Sequence, residues 1–563
     1  MSRSIQGSEI LKLLNDAQIG RYKFTPSPED WRDHWIYFLI TDRFNNTVAP
    51  PREQWNAPVG TFQGGTFNGI REQLDYLKDL GVGALWVSPV LKNPQYDAFA
   101  HHGYGIQDFL SIEPRFSSDI ERARREPEFA AAELRELVDD AHAHGIYVIF
   151  DIVLNHVGNV FAYEGDRNDA PWRDDMPYRI MWRDAQGHAV AEWSTPPAVA
   201  GISSDALIWP IEMQRNEYYR RMGNAFTRPL EFQEQAGDFY SLKELNTAYL
   251  EAHPVYGISH PVRAILISAY QYLMARFDID GFRIDTLKYL EPDFASEFGS
   301  AMREYALTIG KKNFFTYGEV YDAEEKIARF IGRNANADGD LIGVDAALDF
   351  PLFFKLPAVI KGQIAPTEIA SMFLQRRHLT QALISSQGEA SGYFVTFLDN
   401  HDQNNRIRYV DQADPHRYDD QVTLALACQF TLQGIPSLYY GTEQGLSGSG
   451  DRPEYVREAL WGKENAFDQH HPFYRTIRQL SDLRANLTVL RYGRQYFREV
   501  SGDGVSFGIS YYPKGIMAYS RVLADLEAVV VANTNLESGW SGKVVVDYTM
   551  LPGEYSFSLL FSN

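Results

Sequence analysis

The stretch Gly281-Phe-Arg-Ile-Asp-Thr-Leu-Lys-Tyr289 is the starting point for interpreting this chain of 563 residues. It follows a predicted helix at 261–277 and has the character of a short buried strand. Successive side chains of a strand alternate between its faces, so Arg283 and Asp285 point the same way. A guanidinium favours the ionised form of a carboxylate beside it, and a structural ion pair fits the same pattern. The residues at the other strand ends are needed to distinguish a functional carboxylate from a structural ion pair.

Apolar, strand-like runs alternate with amphipathic helices on both sides of this stretch. The run 146–151 is almost continuously apolar, as expected for a strand buried on both faces, and a predicted helix at 133–144 precedes it. Eight such alternations over about 450 residues predict a parallel (β/α)8 barrel, the TIM barrel. A doubly wound sheet is the alternative, but the glycine-rich dinucleotide fingerprint expected near its first strand is missing.

This alternation divides the chain into four segments. The barrel is predicted at 1–156 and 256–490, interrupted after its third strand by an inserted domain at 157–255. From residue 491 to residue 563, short β-branched or alternating runs such as 505–512 are separated by turns. They predict a small antiparallel β-sandwich domain.

Composition and charge limit the class of partner. The formal net charge of −21 argues against nucleic acid and against an anionic membrane surface, since both need clustered Lys and Arg. No run approaches the ~20 apolar residues of a membrane span. The single cysteine, Cys428, forms no internal disulfide, and residues 1–24 contain no charged-then-apolar leader. The expected location is therefore the cytoplasm, and the sequence does not indicate an oligomeric state.

Acidic residues follow most of the predicted barrel strands, at the end where barrel enzymes carry their chemistry. They are Asp42, Asp151, Asp285, Glu319, Asp349 and Asp402. Burying several like charges costs desolvation free energy unless each is paired, so a catalytic site explains the set better than stability does.

Two of these carboxylates suit a double displacement at a glycosidic carbon, which needs a separation of about 5 Å. Asp285, beside Arg283, is expected to stay ionised and to act as the nucleophile. Glu319 ends an aromatic-rich strand, so desolvation is expected to keep its proton and to make it the acid. Asp402 is expected to hold hydroxyl groups of the sugar while its ring distorts.

Seven segments of the chain resemble, in the same order, motifs of the α-amylase family (glycoside hydrolase family 13). They are Gly81–Val90, Asp151–His156, Leu242–Asn246, Gly281–Tyr289, Gly318–Val320, Phe397–Asp402 and Gly434–Glu443. Seven ordered matches on the predicted elements are far more specific than any one of them. The resemblance implies that the insertion is the family's domain B and that the C-terminal β region is its domain C.

Roles for individual residues follow from the resemblance. It implies that Asp285 is the nucleophile, Glu319 the acid/base and Asp402 the transition-state stabiliser. It also implies a set of substrate-binding residues around the cleaved sugar, namely His102, Tyr104, His156, Arg283, Lys288, His401, Asp451 and Arg457.

The chain departs from the family pattern at two positions that affect ligands. Tyr289 follows Lys288 where α-amylases usually have histidine, which changes the leaving-group side of the site. In many members, the residues that match Asn155 and Glu244 hold a structural Ca2+. The resemblance therefore implies a calcium site there, with Lys243 as a cation that weakens or replaces the ion. No organic cofactor is expected.

The predicted function is that of a retaining hydrolase of α-1,4-glucosidic bonds in starch, glycogen or maltooligosaccharides. A glucanotransferase or a sucrose-type transglycosylase remains the alternative, because both share the covalent intermediate. A non-catalytic glycan-binding relative would be expected to lack one of the three carboxylates, and Asp285, Glu319 and Asp402 are all present.

Overall fold

Eight parallel strands form the centre of the molecule, for which a computed structural model describes residues 3–165, 167–195, 202–229, 237–255, 257–332, 343–547 and 556–562. The strands are β1 (Ile36–Leu39), β2 (Ala84–Val87), β3 (Tyr147–Val153), β4 (Gly281–Asp285), β5 (Phe315–Gly318), β6 (Ala346–Ala347), β7 (Val395–Thr396) and β8 (Ile435–Tyr439). They are hydrogen-bonded in the order β6-β5-β4-β3-β2-β1-β8-β7. A parallel bridge between Leu348 and Val395 closes the ring between β6 and β7. The predicted (β/α)8 barrel is confirmed.

The barrel strands are buried because side chains fill the interior and helices cover the outside. Every residue of β1, β2, β4 and β8 is buried. Inside the barrel, Phe38 stacks on Trp86 with ring centroids 3.8 Å apart, and Tyr317 meets Trp86 edge-on at 5.7 Å. Strands buried on both faces explain the almost continuous apolar runs in the sequence.

The helices alternate with the strands along the chain. Their bounds are Ser8–Gln18, Thr41–Phe44, Phe67–Arg71, Leu74–Leu80, Ile120–Arg125, Pro127–Ala143, Pro261–Phe277, Pro292–Thr308, Glu324–Ile327, Phe350–Phe353, Leu356–Ile360, Thr367–Thr380, Asp419–Thr431, Pro472–Asn486 and Thr488–Tyr492. Leu74–Leu80 ends at Gly81, whose φ of 89° is a left-handed conformation that favours glycine. Among the described residues, none of the helices is both long enough and apolar enough to cross a membrane.

The segment between β3 and Pro261 consists of short strands and turns. An antiparallel pair of His156–Val157 with Lys243–Glu244 joins it to the end of β3. Its other strands are Phe161–Tyr163, Ile180–Arg183 and Ala189–Glu192, which form one sheet, and Glu251–His253 with Gly257–Ser259, which form a hairpin. Two further hairpins outside this segment are Leu91–Lys92 with Asp108–Ile112 and Ile384–Ser385 with Gly388–Glu389.

After the barrel, two small antiparallel sheets are present in the described residues. One contains Arg494–Phe497, Ile516–Leu523 and Leu526–Asn533, and the other pairs Val500–Ser501 with Lys543–Val544. The strand expected at 505–512 is wrong. In the described chain this segment forms only an isolated bridge, between Gly508 and Val500, and Val505 and Tyr511 are 83% and 82% exposed.

Candidate active site

Three carboxylates converge on one opening at the carboxyl end of the barrel. Asp285 is the last residue of β4, and Glu319 directly follows β5. Asp402 lies in the loop that follows β7. All three line one cavity of about 560 Å3, a volume within the range of small-ligand sites.

The guanidinium of Arg283 connects the carboxylates beneath this cavity. Its Nη1 donates to Asp285 Oδ1 at 2.8 Å and to Asp151 Oδ1 at 3.0 Å. Its Nη2 lies 3.1 Å from Glu319 Oε2. The register of β4 against β3 places Arg283 beside Asp151, and the strand alternation places it on the same face as Asp285. One buried cation therefore serves three acids.

This sharing changes the expected ionisation of Asp285. Burial raises the pKa of Asp285 well above its ordinary value, and the nearby charges of Glu319 and Asp151 add to that rise. The Arg283 guanidinium opposes the shift and does not overcome it. The direction of this shift is opposite to the expectation that Arg283 keeps Asp285 ionised, because Arg283 divides its charge among three carboxylates.

Tyr104 forms the floor of the cavity next to the carboxylates. Its hydroxyl donates to Asp151 Oδ2 at 2.8 Å, and Trp86 Nε1 donates to the same oxygen at 3.0 Å. The ring lies parallel to that of His401, with centroids 5.3 Å apart, and stacks on His102 at 5.5 Å. A fixed aromatic face of this kind suits the apolar face of a sugar ring.

Burial favours the neutral form of the histidines around the cavity. Burial lowers the pKa of His102 and His401 well below the ordinary value, and the Arg457 charge adds to both shifts. Burial also lowers the pKa of His156 to about 3. In the described part of the chain, His156 Nε2 is buried with no hydrogen-bond partner. A neutral imidazole with an unused nitrogen at a cavity wall can donate to or accept from a hydroxyl group.

Asp402 differs from the other two acids in its exposure. Its side chain is 41% exposed, and Arg457 Nη2 contacts its Oδ1 at 3.1 Å. His401 Nε2 lies 3.0 Å from its other oxygen, and Arg457 Nε donates to the backbone oxygen of His401 at 2.9 Å. Arg457 therefore ties the orientation of Asp402 to the loop that carries it.

The remaining predicted substrate-binding residues divide into two groups. Lys288 lines the cavity, and its Nζ donates to the backbone oxygen of Tyr321 at 3.1 Å. Asp451, in contrast, is exposed and is not among the cavity-lining residues. The turn Pro453–Val456 lies between the two residues, and of this pair Arg457 lines the cavity whereas Asp451 does not. The structure does not bring the expected pair together.

Two of the strand-end acids have structural contacts instead. Asp42 is fully buried against Arg43 and accepts hydrogen bonds from the N–H groups of Gln63 and Gly64. Asp349 is held by Arg376, whose Nη1 donates to it at 2.7 Å. Neither acid lines the cavity. Their side chains are paired where they lie, which is the arrangement that buried carboxylates need for stability.

Sequence reasoning missed an aromatic wall on the inserted segment and the contact of Asp151 with Arg283. Phe239 packs edge-on against Tyr289 with centroids 5.5 Å apart. Tyr240 is 57% exposed, has a φ of 57°, and stacks on Phe226 at 4.4 Å. The signal in the sequence was the adjacent aromatic pair Phe239-Tyr240, just ahead of the matched segment Leu242–Asn246. Both aromatic residues line the cavity.

The residues predicted to bind calcium were compared with the needs of that ion, which takes six to eight oxygen ligands. Glu244 Oε2 accepts the Gly237 N–H, and burial raises the pKa of Glu244 well above its ordinary value. Lys243 is fully buried, with its Nζ 2.6 Å from the backbone oxygen of Asn168 and 3.2 Å from Asp238 Oδ2. The described residues contain no group of three or more His, Cys, Asp and Glu side chains arranged for a metal. This part of the chain fits Ca2+ poorly, and Lys243 supplies a buried positive charge there.

Comparison with known sequences gives one family and several relatives. The family model described as "Alpha amylase, catalytic domain" matches residues 38–471. An alpha-amylase of Streptomyces lividans is 28% identical over 507 residues, which are 82% of this chain and 50% of that protein. A cyclomaltodextrin glucanotransferase of Geobacillus stearothermophilus is 25% identical over 539 residues, which are 93% of this chain and 62% of that protein. The chain thus spans half to less than two thirds of these relatives.

Solved structures give the same fold. The alpha-amylase of Geobacillus thermoleovorans in complex with acarbose superposes with a TM-score of 0.62 at 23% identity, covering 90% of this chain and 88% of that one. The gamma-cyclomaltodextrin glucanotransferase of an alkalophilic Bacillus clarkii gives a TM-score of 0.62 at 24% identity, covering 90% and 63%. At these identities the comparison supports the fold alone.

Proposed function

Because this chain belongs to the α-amylase family, we propose that it is a retaining hydrolase of α-1,4-glucosidic bonds in starch, glycogen or maltooligosaccharides. The supporting observation is that Asp285 and Glu319 contact the two terminal nitrogens of one guanidinium, at 2.8 Å and 3.1 Å. Two acids held on one guanidinium suit the separation of about 5 Å that retaining enzymes use.

The reaction proceeds in two displacements. First, a carboxylate oxygen of Asp285 forms a bond to the anomeric carbon while the bond from that carbon to the glycosidic oxygen breaks. Glu319 gives its proton to the departing oxygen, which leaves as a hydroxyl group. Second, water attacks the anomeric carbon, its proton passes to Glu319, and the bond to Asp285 breaks. Asp285 is ionised again and Glu319 protonated, so water is the only co-reactant.

The excess of negative charge beneath the cavity favours the transition state of both steps. Asp151, Asp285 and Glu319 face the single cation Arg283, and one proton shared within the group still leaves it negative. The sugar ring acquires positive charge as the glycosidic bond breaks, so preorganised carboxylates stabilise it. Substrate binding then has to place that proton on Glu319 and leave Asp285 ionised.

Binding of the sugar is assigned to groups that lie around these acids. Tyr104 offers its ring face below the cleaved sugar, and Asp402, oriented by Arg457, accepts from hydroxyl groups. His156 and His102 contribute neutral nitrogens. Asp402 is more exposed than Asp285, so it remains available to a substrate that enters from solvent.

A glucanotransferase is the second candidate, and the aromatic wall of the cavity favours it. Tyr240 presents an exposed ring at the cavity, and Phe239 and Tyr289 lie beside it. Such rings can hold an acceptor sugar in the place where water must attack for hydrolysis. The covalent intermediate is common to both reactions, and the acceptor decides the product.

Products formed from maltotriose distinguish the two candidates. Hydrolysis gives only shorter sugars at early times, whereas transfer gives longer oligosaccharides before shorter ones accumulate. If Tyr240 holds the acceptor, Tyr240→Ala lowers the ratio of transfer to hydrolysis, while Tyr512→Ala, at an exposed tyrosine outside the cavity, leaves it unchanged. Parallel assays on starch, cyclodextrin and sucrose define the substrate. Turnover of sucrose with none of starch or maltotriose would contradict the α-glucan proposal.

A further inference from the structure

A second cavity, of about 660 Å3, lies at the end of the barrel opposite the acids. Arg32, Gly392 and Gln433 line it, and these residues directly precede β1, β7 and β8. Its other walls come from the helix Thr367–Thr380 and from the strand Arg494–Phe497 of the C-terminal sheet. The volume falls within the range of small-ligand sites.

The charge of this cavity is opposite to that of the whole chain. Six of the lining residues are arginines, and Glu389 is the one carboxylate in the described lining. Three of the arginines are neutralised by neighbouring acids: Arg32 by Asp30, Arg376 by Asp349 and Glu324, and Arg491 by Asp33. The cavity therefore keeps three further guanidiniums against one carboxylate, in a protein whose net charge is −21.

The three remaining arginines differ in their surroundings. Arg521 is fully buried and donates only to backbone oxygens, those of Gly493 at 2.8 Å and of Thr431 at 2.9 Å. Burial lowers its pKa to about 10, as expected for a cation without a carboxylate partner. Arg377 and Arg494 are exposed at the rim, and no acid pairs with either of them in the described part of the chain.

Two buried donors in the cavity wall also lack a partner among the described residues. They are the Nε of Arg491 and the Nε2 of Gln495, whose Oε1 accepts from the Gln433 N–H at 2.7 Å. Buried N–H groups are almost always hydrogen-bonded in folded proteins, so unused donors beside unneutralised guanidiniums indicate a missing acceptor. Aromatic rings of Phe373 and Phe497, 5.7 Å apart, supply an apolar surface in the same cavity.

We propose that this cavity binds a phosphorylated sugar. Guanidinium groups bind phosphate oxygens through paired N–H donors. Three further guanidiniums against the one carboxylate of the described lining, Glu389, leave an excess of two positive charges, which suits a dianion better than a monoanion. The aromatic surfaces suit the apolar face of a sugar ring. The site lies on the opposite side of the barrel from Asp285, and it does not depend on the proposed hydrolase activity.

Calorimetric titration of the full chain with glucose 6-phosphate, inorganic phosphate and glucose tests the proposal. Arg377→Gln and Arg494→Gln remove rim cations without disturbing buried contacts, and Arg124→Gln is a matched exposed control outside the cavity. Each rim variant is expected to weaken glucose 6-phosphate binding about tenfold, and the control to leave it unchanged.

Three results would overturn the proposal in whole or in part. Absence of saturable binding of glucose 6-phosphate excludes the site. If a variant that carries both Arg377→Gln and Arg494→Gln binds glucose 6-phosphate as tightly as the parent protein, the ligand binds elsewhere, for example in the active-site cavity. If inorganic phosphate binds as tightly as glucose 6-phosphate, the sugar ring contributes nothing to binding and the proposal of a phosphorylated sugar is wrong.

Discussion

The two ends of strand β4 carry buried acids in opposite circumstances. At its start, Asp280 receives Lys311 Nζ at 2.7 Å, His142 Nε2 at 2.8 Å and the Val148 N–H at 2.8 Å. Lys311 also pairs with Asp278 at 2.7 Å. At its end, Asp285 shares Arg283 with two other carboxylates. Both carboxylate oxygens of Asp280 accept hydrogen bonds, whereas Asp285 shares one guanidinium with two other acids.

The pKa values follow this difference. Burial alone would raise the pKa of Asp280, but the Lys311 charge and the His142 contact lower it below its ordinary value. Burial raises the pKa of Asp285, and Arg283 does not reverse the shift. Ionisation of an acid whose pKa is lowered by folding increases the free energy of unfolding. Ionisation of an acid whose pKa is raised by folding decreases it. The comparison separates an acid kept for stability from an acid kept for reactivity.

The largest expected effect tests the reactive end. Asp285→Asn removes the proposed nucleophile, so we expect kcat on maltotriose to fall by about 10^4-fold or more, while the far-UV circular dichroism spectrum is unchanged. Glu319→Gln is expected to act similarly on substrates with poor leaving groups. Near-normal turnover in the Asp285 variant would contradict the proposed mechanism and the assignment of Asp285 as the reactive acid of β4.

The second-largest expected effect concerns Asp280, the paired acid at the start of β4. Asp280→Asn leaves Lys311 and His142 with one carboxylate fewer in a buried site, so we expect the free energy of unfolding to fall by about 3 kcal/mol at pH 7. The kcat of the remaining folded protein is expected to be unchanged. Urea titration measures the loss, and Asp139→Asn, at an exposed acid of the helix Pro127–Ala143, is the control. A loss of activity without a loss of stability would contradict the assignment.

The pH dependence of stability should have opposite signs at the two ends. Asp285 has a folded pKa above its unfolded value of about 3.9, so its contribution is complete below that value and is lost as the pH rises through the folded pKa. Asp285→Asn is therefore expected to stabilise the protein by about 1 kcal/mol at pH 8, and the gain should vanish towards pH 4.

The Asp280 variant should show the reverse dependence. The folded pKa of Asp280 is lowered, so its stabilisation is present above the unfolded value and is lost as the pH falls. The deficit of Asp280→Asn should therefore shrink in acid. Unfolding curves of both variants and of the parent protein, measured between pH 4 and pH 8, decide this. Parallel pH dependences for the two variants would show that the two ends do not differ electrostatically.

The sequence predicted the barrel because its signal is local and repeated. Apolar runs mark the strands, and amphipathic stripes mark helices such as Pro127–Ala143. It failed for 505–512, where alternation is present but the described pairing is a single bridge between Gly508 and Val500, since pairing between segments leaves no local mark. The prediction of the acids at the ends of β4, β5 and β7 used the same rule that barrel chemistry lies at those ends.

The rule that barrel chemistry lies at the strand ends does not show which of these acids form structural ion pairs. Asp42 and Asp349 come shortly after β1 and β6, whereas Asp285 is the last residue of β4. Asp42 pairs with Arg43, the next residue in the chain, and Asp349 pairs with Arg376, which only the fold brings near it. The raised pKa of Asp285 could not be read from the sequence for a similar reason. The sequence shows Arg283 two residues away, whereas Asp151 lies 132 residues from Arg283 and competes for it only after β3 and β4 pair.

The smallest expected effect concerns Lys243, which extends the comparison to a third buried charge. Its Nζ contacts Asp238 Oδ2 and the backbone oxygen of Asn168, so it resembles the satisfied end of β4. A chelator is therefore expected to leave the Tm unchanged within about 1 °C. Lys243→Met, which leaves Asp238 without its cation, is expected to cost about 2 kcal/mol in the free energy of unfolding. A large fall in Tm with a chelator, reversed by added calcium, would support the calcium site implied by Asn155 and Glu244. Lys243 would then lie beside the ion and would not replace it.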